Sequence, residues 1–254
     1  MSAAAVTPRG MVWTVLRLHR TALIVWTAFV LACVGYLVWL TEVTAGSVHE
    51  TLAACPRDGS LCGVGALHSY SGAMGWISTF FYYGFWAVAA WAGGALIGRE
   101  LESGTARLAW TQHVTPTRWL AVKLTLPALA IVLGGAVFVP VYRWAWAAHR
   151  DLMGDGWAFP DVFAARGPAV VAYGLCALAV GTLTALLIRR SLPALGVSVA
   201  VMIVLNRSLE ARRDFEGRPA SDFWTMNLGE TGVLLTVAVL ATVAAFLVLR
   251  RRTD

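Results

Sequence analysis

Lysine is almost missing: Lys123 is the only one in 254 residues. A Walker A loop needs Gly-Lys-Ser or Gly-Lys-Thr to bring an ammonium to nucleotide phosphates, and Lys123 follows Val122, so an ATPase of that type is excluded. Charge of either sign is scarce, at 13% of residues, where soluble domains carry about 25%. Neither a low-complexity linker nor a soluble domain interrupts the chain, so a single membrane domain is expected over residues 1–254. The histidines His19, His49, His68, His113 and His149 all fall in loops or flanks. No zinc-binding HExxH exists, and no span holds a base for a serine nucleophile.

What is abundant is apolar sequence, 58% of the chain, in uninterrupted runs. Each run approaches the ~20 residues that a helix needs to cross hydrocarbon. Six spans are predicted: Thr21 to Leu40, Gly72 to Ile97, Leu124 to Tyr142, Gly167 to Ile188, Ser191 to Leu205 and Thr231 to Leu249. The first follows Arg17, His19 and Arg20 as a signal peptide would, but it exceeds the roughly 7–15 residues of a signal h-region and is read as retained. The fifth is short and separated from the fourth only by Arg189, Arg190, Ser191 and nearby Pro193, so a tilted or re-entrant segment competes there. No Asp, Glu, Lys, Arg or His lies inside the six segments. Proton- and ion-driven carriers keep such residues within the bilayer to bind the coupling ion, so that class is disfavoured.

The net charge of +6 comes from short basic clusters beside the spans. They form no continuous stripe of the kind nucleic acid would require, so topology explains them. Arg17/Arg20, Arg99/Arg107/Arg118/Lys123, Arg189/Arg190 and Arg250 to Arg252 share one side, while of the acids only Glu100, Glu102 and Asp254 do. Both termini are therefore predicted in the cytoplasm of an all-α, multi-pass cell-membrane protein. Cys55 and Cys62 share the first outer loop across Pro56-Arg57-Asp58-Gly59. They can form a disulfide in an oxidising exterior or remain free thiols, and two cysteines are too few for a structural zinc site.

The loop between the second and third spans is the most informative segment. Gly104 permits a sharp turn, Thr105 can cap the following helix, and Glu100 and Glu102 place negative charge near its N-terminus. A short helix from about Ala106 to Gln112 is expected. Thr115-Pro116 repeats the start signal for the helix carrying Arg118, Trp119 and Lys123 into the third span.

These residues resemble the permease subunits of the type-2 ABC transporter family, most of which are exporters. The likeness rests on E-x-E-x-G-T at Glu100, Glu102, Gly104 and Thr105, on R-L-A-W-T-Q from Arg107 to Gln112, and on T-R-W-L-A-V-K from Thr117 to Lys123. It implies a cytoplasmic coupling helix within Arg99 to Thr111 docking on a separate ATPase, with Arg99, Glu100, Glu102, Gly104, Thr105, Arg107, Trp110 and Thr111 as the coupling residues. It also implies that ATP and Mg are bound by the partner ATPase, with no cofactor in this chain. The substrate would be lipid-like, peptide or drug-like, and the partners would be ABC ATPase subunits, a second permease copy or homologue, and membrane lipid.

Family members place an interfacial helix where Met11 to Arg20 lies here, and often an outer helical cap where Asn206 to Gly229 lies. Ordinary flanks explain the same residues. Ala90, Gly94 and Gly98 recur one helical turn apart and would let the second copy's helix approach closely, a candidate dimer face. Read from residues alone, two other functions stay open: an immunity or assembly factor whose loops bind a partner, and a membrane enzyme using the outer His68 and His149.

The topology has a direct test. In cells lacking the native outer thiols, single cysteines at Ser2, Ser103 and Thr253 should resist an impermeant thiol reagent, and labelling at Ser103 would move the loop outside.

Overall fold

The computed structural model describes residues 17, 19–56, 62–111, 114–153, 156, 159–213 and 219–253. Within them no strand occurs, and six helices are long and apolar enough to cross a membrane. They are α1 (Arg20–Ala53), α2 (Val64–Glu102), α4 (Pro116–Ala148), α6 (Ala169–Ile188), α7 (Ser191–Glu210) and α8 (Ala220–Thr253). Two short helices join them, α3 (Thr105–Thr111) after α2 and α5 (Pro160–Ala165) before α6. Most of Met11 to Arg20 lies outside the described residues, as do Arg57 to Gly59, Gln112, His113 and the middle of the Asn206 to Gly229 segment.

Several helices outrun their apolar sequence. α1 continues beyond Leu40 through a π-helical turn, Leu40–Thr44, into Ala45–Ala53. α2 contains a longer π stretch, Ala92–Gly98, just before the loop. The short Ser191 to Leu205 segment becomes a regular 20-residue helix ending at Glu210. Its polar last turn is held by Asn206 and Glu210, which hydrogen-bond each other.

α6 is the axis of the bundle: 67% of its apolar window is buried, against 22% for α1 and for α7. Small residues make this position available. A Cβ built on Gly181 would lie 2.7 Å from the Ala89 carbonyl oxygen and 3.0 Å from the Gly93 nitrogen, so α2 and α6 approach backbone to backbone. In lipid such close packing supplies cohesion that hydrophobic burial cannot, since the tails are themselves apolar. Larger side chains fill the outlying core, where Phe81 of α2 stacks on Phe138 of α4 with ring centroids 3.5 Å apart. Leu31, Phe80, Leu133 and Leu240 point outward, as helices solvated by hydrocarbon allow.

Two residues of the candidate dimer face are engaged within the chain, while Ala90 is half-buried. Gly94 and Gly98 are buried against α7 of the same chain, where added Cβ atoms would lie 3.2 Å from Leu195 and 3.1 Å from the Ser191 Cα. Small-residue spacing marks a close helix approach without saying whose helix approaches. Cys55 and Cys62 are joined in a disulfide that closes the segment after α1.

The α2–α6 contact predicts a contrast between two glycines. Gly181→Val should lower the thermal stability of detergent-purified protein, by about 1–3 kcal/mol as for an overpacked core. Gly84→Ala, which meets nothing within 4 Å, should leave melting unchanged or raise it, since helical Gly costs roughly 0.5–1 kcal/mol against Ala.

Candidate functional site

The loop after α2 is built around one reversal. Gly104 takes φ +76°, a conformation open to glycine but costly for residues with a Cβ, and the chain turns back into α3. The Gly104 carbonyl accepts the first two helical bonds, from Arg107 N at 3.0 Å and Leu108 N at 3.3 Å. Thr105 does not cap α3. It is the first helical residue, and its hydroxyl instead donates to the Glu100 carbonyl at 3.3 Å and pairs with Ser103. The second start signal works as the residues predict: Thr115 Oγ1 accepts from Arg118 N at 3.4 Å, with Pro116 in the first helical turn.

Glu100 turns inward. Its carboxylate accepts from Lys123 Nζ at 2.6 Å and from Trp119 Nε1 at 3.2 Å, both on α4. Lys123 also donates to the Leu96 carbonyl at 3.1 Å, and its side chain is 2% exposed. The His19 ring nitrogen lies 3.4 Å from the same ammonium. Burial, then the adjacent Lys123, holds His19 below the usual histidine range, so the neutral ring can accept from the ammonium. One buried cation thus ties the loop end of α2 to α4 and to the residue preceding α1.

Glu102 is also engaged within the chain. Its carboxylate accepts from the Ser191 backbone N at 2.9 Å and from the Ser191 hydroxyl, at the N-terminus of α7. A helix start welcomes such a charge because its first N–H groups are unpaired and its dipole is positive there. Trp110, expected as an exposed anchor, packs edge-on against Trp119 with centroids 5.8 Å apart and is half-buried. Glu100, Glu102 and Trp110 are therefore bracing residues, and Thr105 belongs to the turn.

Glu102 and Thr105 remain exposed while they make these bonds, and further residues of the loop face out with them. Arg107, Leu108 and Thr111 are exposed on α3, and Leu108 is 61% accessible although apolar. The sequence reading passed over Leu108; its signal was a large aliphatic residue in a polar loop. Arg189, at the end of α6, is depressed by burial and then by nearby Arg252 and Arg107. That mutual influence brings three arginines from α3, α6 and α8 into one basic rim around the loop. Arg99 is exposed at the end of α2.

The opposite end of the bundle has its own polar cluster. Arg213 donates to Glu230, Tyr173 and Tyr82, and Tyr82 donates to Asn206, joining α2, α6, α7 and α8. Among the described residues no hydrogen bond or ring contact joins His68 to His149. His149 instead neighbours His49 and Asp151, whose donor atoms lie within 4.8 Å and could hold a metal. His49 Nε2 already pairs with Asp151 at 2.8 Å.

The family model described as ABC-2 membrane transporter related matches residues 27–212, well over half of the chain and including the whole loop. No curated protein and no solved structure matches.

The inward pairing predicts which loop residues govern stability. Glu100→Gln strands the Lys123 ammonium, and should cost about 3 kcal/mol by analogy with other broken buried pairs. Arg107→Ala, on the exposed face, should stay within ~0.5 kcal/mol. Thermal denaturation in detergent distinguishes the two.

Proposed function

The chain belongs to the ABC-2 membrane transporter related family, and from that premise we propose that this permease is the membrane half of an ATP-driven exporter. Permeases of this family partner with ABC ATPase subunits. In this reading two cytoplasmic ATPases hold the ATP and Mg, two permease copies or homologues form the pathway, and this chain hydrolyses nothing itself.

The observation that supports coupling best is how the loop is anchored. α3 is presented on a turn whose base is tied through Glu100 and Lys123 to α4 and His19, and through Glu102 to the start of α7. A solvated connector has no need of such anchorage. Closure of the ATPases on nucleotide would press on Arg107, Leu108 and Thr111, and the buried pair would carry that displacement into three spanning helices. The basic rim of Arg107, Arg189 and Arg252 suits an acidic ATPase groove. The basic clusters support a cytoplasmic location, and the start of α1 and the end of α8 share this end of the bundle with α3, through His19 and through Arg252 bonded to the Leu186 carbonyl.

An apolar cleft of about 500 Å³ between α4, α6 and α8, lined by Leu129, Val132, Leu175 and Val239 among others, favours a hydrophobic or lipid-like cargo. Efflux rather than uptake rests on the family resemblance alone.

Because the anchoring residues also hold the fold, the outward face is the informative place to test coupling. Arg107→Ala with Leu108→Ala should cut co-purification of the ATPase about tenfold or more and abolish transport, as loss of an interface anchor does. Melting temperature and membrane insertion should be preserved. Full ATPase binding and transport in this double variant would reduce the loop to a connector.

A further inference from the structure

At the end of the bundle opposite α3, three arginines border one open cleft of about 510 Å³. Arg143 lies at the end of α4, Arg150 just beyond that helix, and Arg166 between α5 and α6. None has a carboxylate within ion-pairing distance among the described residues. Asp151, adjacent to Arg150 in sequence, is occupied by His49.

Aromatic rings hold the cations instead. The Arg166 guanidinium carbon sits 3.7 Å from the Trp146 ring centroid and 4.6 Å from that of Phe223. The Arg150 guanidinium carbon lies 4.8 Å from the same Trp146 ring centroid, and that of Arg143 lies 4.6 Å from the Trp224 ring centroid. A guanidinium stacked on a ring engages its face and keeps its N–H bonds in the plane, free to donate. Two donors are buried here without an acceptor, Arg166 Nε and Trp146 Nε1. Burial first, with Arg150 and Arg143 adding like-charge repulsion, lowers the Arg166 pKa to about 10. Among the described residues the cleft thus gathers donors and positive charges without a carboxylate partner.

Its depth narrows the ligand. Arg143 immediately follows the apolar stretch that ends at Tyr142, and Val139 and Pro140 form the lower wall. Trp144 and Trp224 are 43% and 41% exposed at the same level, as in the aromatic belts at membrane surfaces. A ligand here must place several acceptor oxygens and negative charge at headgroup height with apolar substance below. Phosphate accepts from arginine forks through two oxygens at once, which suits this array better than a single carboxylate.

We propose that this cleft binds the phosphate of an anionic phospholipid headgroup. The site stands apart from the coupling loop and does not depend on it. It gives the helix ends at α4, α5, α6 and α8 a shared anionic bridge at the membrane surface.

Native mass spectrometry of the full chain, incubated with equal amounts of phosphatidylglycerol and phosphatidylcholine, tests it. Wild type should retain phosphatidylglycerol preferentially, and Arg143→Gln with Arg150→Gln, both exposed positions, should reduce that retention about tenfold, as loss of two charge-assisted bonds would. The double variant avoids half-buried Arg166, whose replacement could disturb folding. Inorganic phosphate at the lipid's concentration should displace little of it. Retention unchanged in the double variant, or no preference over phosphatidylcholine, would overturn the proposal. Full displacement by equimolar inorganic phosphate would overturn the lipid assignment and give the cleft to a soluble anion.

Discussion

An ammonium withdrawn from water is tolerated only while a counter-charge and acceptors stay beside it. Lys123 is held in that condition by Glu100 and the Leu96 carbonyl at the loop end of α2 and by His19 before α1. None of those segments can shift alone without exposing or stranding the charge. The loop end of the bundle therefore behaves as one piece, and α3 inherits its position from that piece. Glu102 extends the same logic to α7, where its carboxylate satisfies an unpaired N–H at Ser191. Three of the spanning helices, α2, α4 and α7, meet at two carboxylates that sit within three residues of each other.

Much of the architecture was legible in the sequence because hydrocarbon imposes a simple rule of length and polarity. The six apolar runs became six helices, and their order along the chain is as read. The ends were not legible. α1 continues to Ala53 and α7 to Glu210 through polar residues, because a helix leaving the bilayer can go on when its polar side chains find partners, as Thr41 does on Leu37 and Asn206 on Glu210. Hydropathy registers hydrocarbon thickness; it does not register those bonds.

The loop divides along the same line. Gly104 was legible because positive φ is a backbone demand that one residue type meets, and Thr115-Pro116 because capping is local. The partners of Glu100 and Glu102 within the chain were not legible, although Glu102 stays exposed while it bonds Ser191. Their partners lie 23 and 89 residues away, beyond any local pattern. Trp110 was misplaced for a related reason: a tryptophan in a cytoplasmic loop suits a partner's pocket and its own chain's Trp119 equally well until the fold is known. Gly94 and Gly98 show the same limit, since a small-residue stripe fits any close helix, and α7 is the one that uses it.

α2 is the element common to both ends. Its Tyr82 belongs to the Arg213–Glu230 cluster, and its Glu100 holds Lys123 at the loop. Eighteen residues separate them, about 27 Å of helix, close to the thickness of hydrocarbon. Were that helix regular throughout, displacement of the loop would be passed unchanged to the far cluster. Between the two anchors lies the π stretch Ala92–Gly98, where the bonding frame is looser and side chains shift around the axis. Its glycines also press on α7, and α6 packs against its start at Gly181. On the proposed coupling reading, a load entering at α3 would meet this π stretch, which touches two other spans, before it reached Tyr82 along α2. Motion joining the two ends has two routes, through that segment of α2 or along α7, which bonds Glu102 at Ser191 and Tyr82 at Asn206.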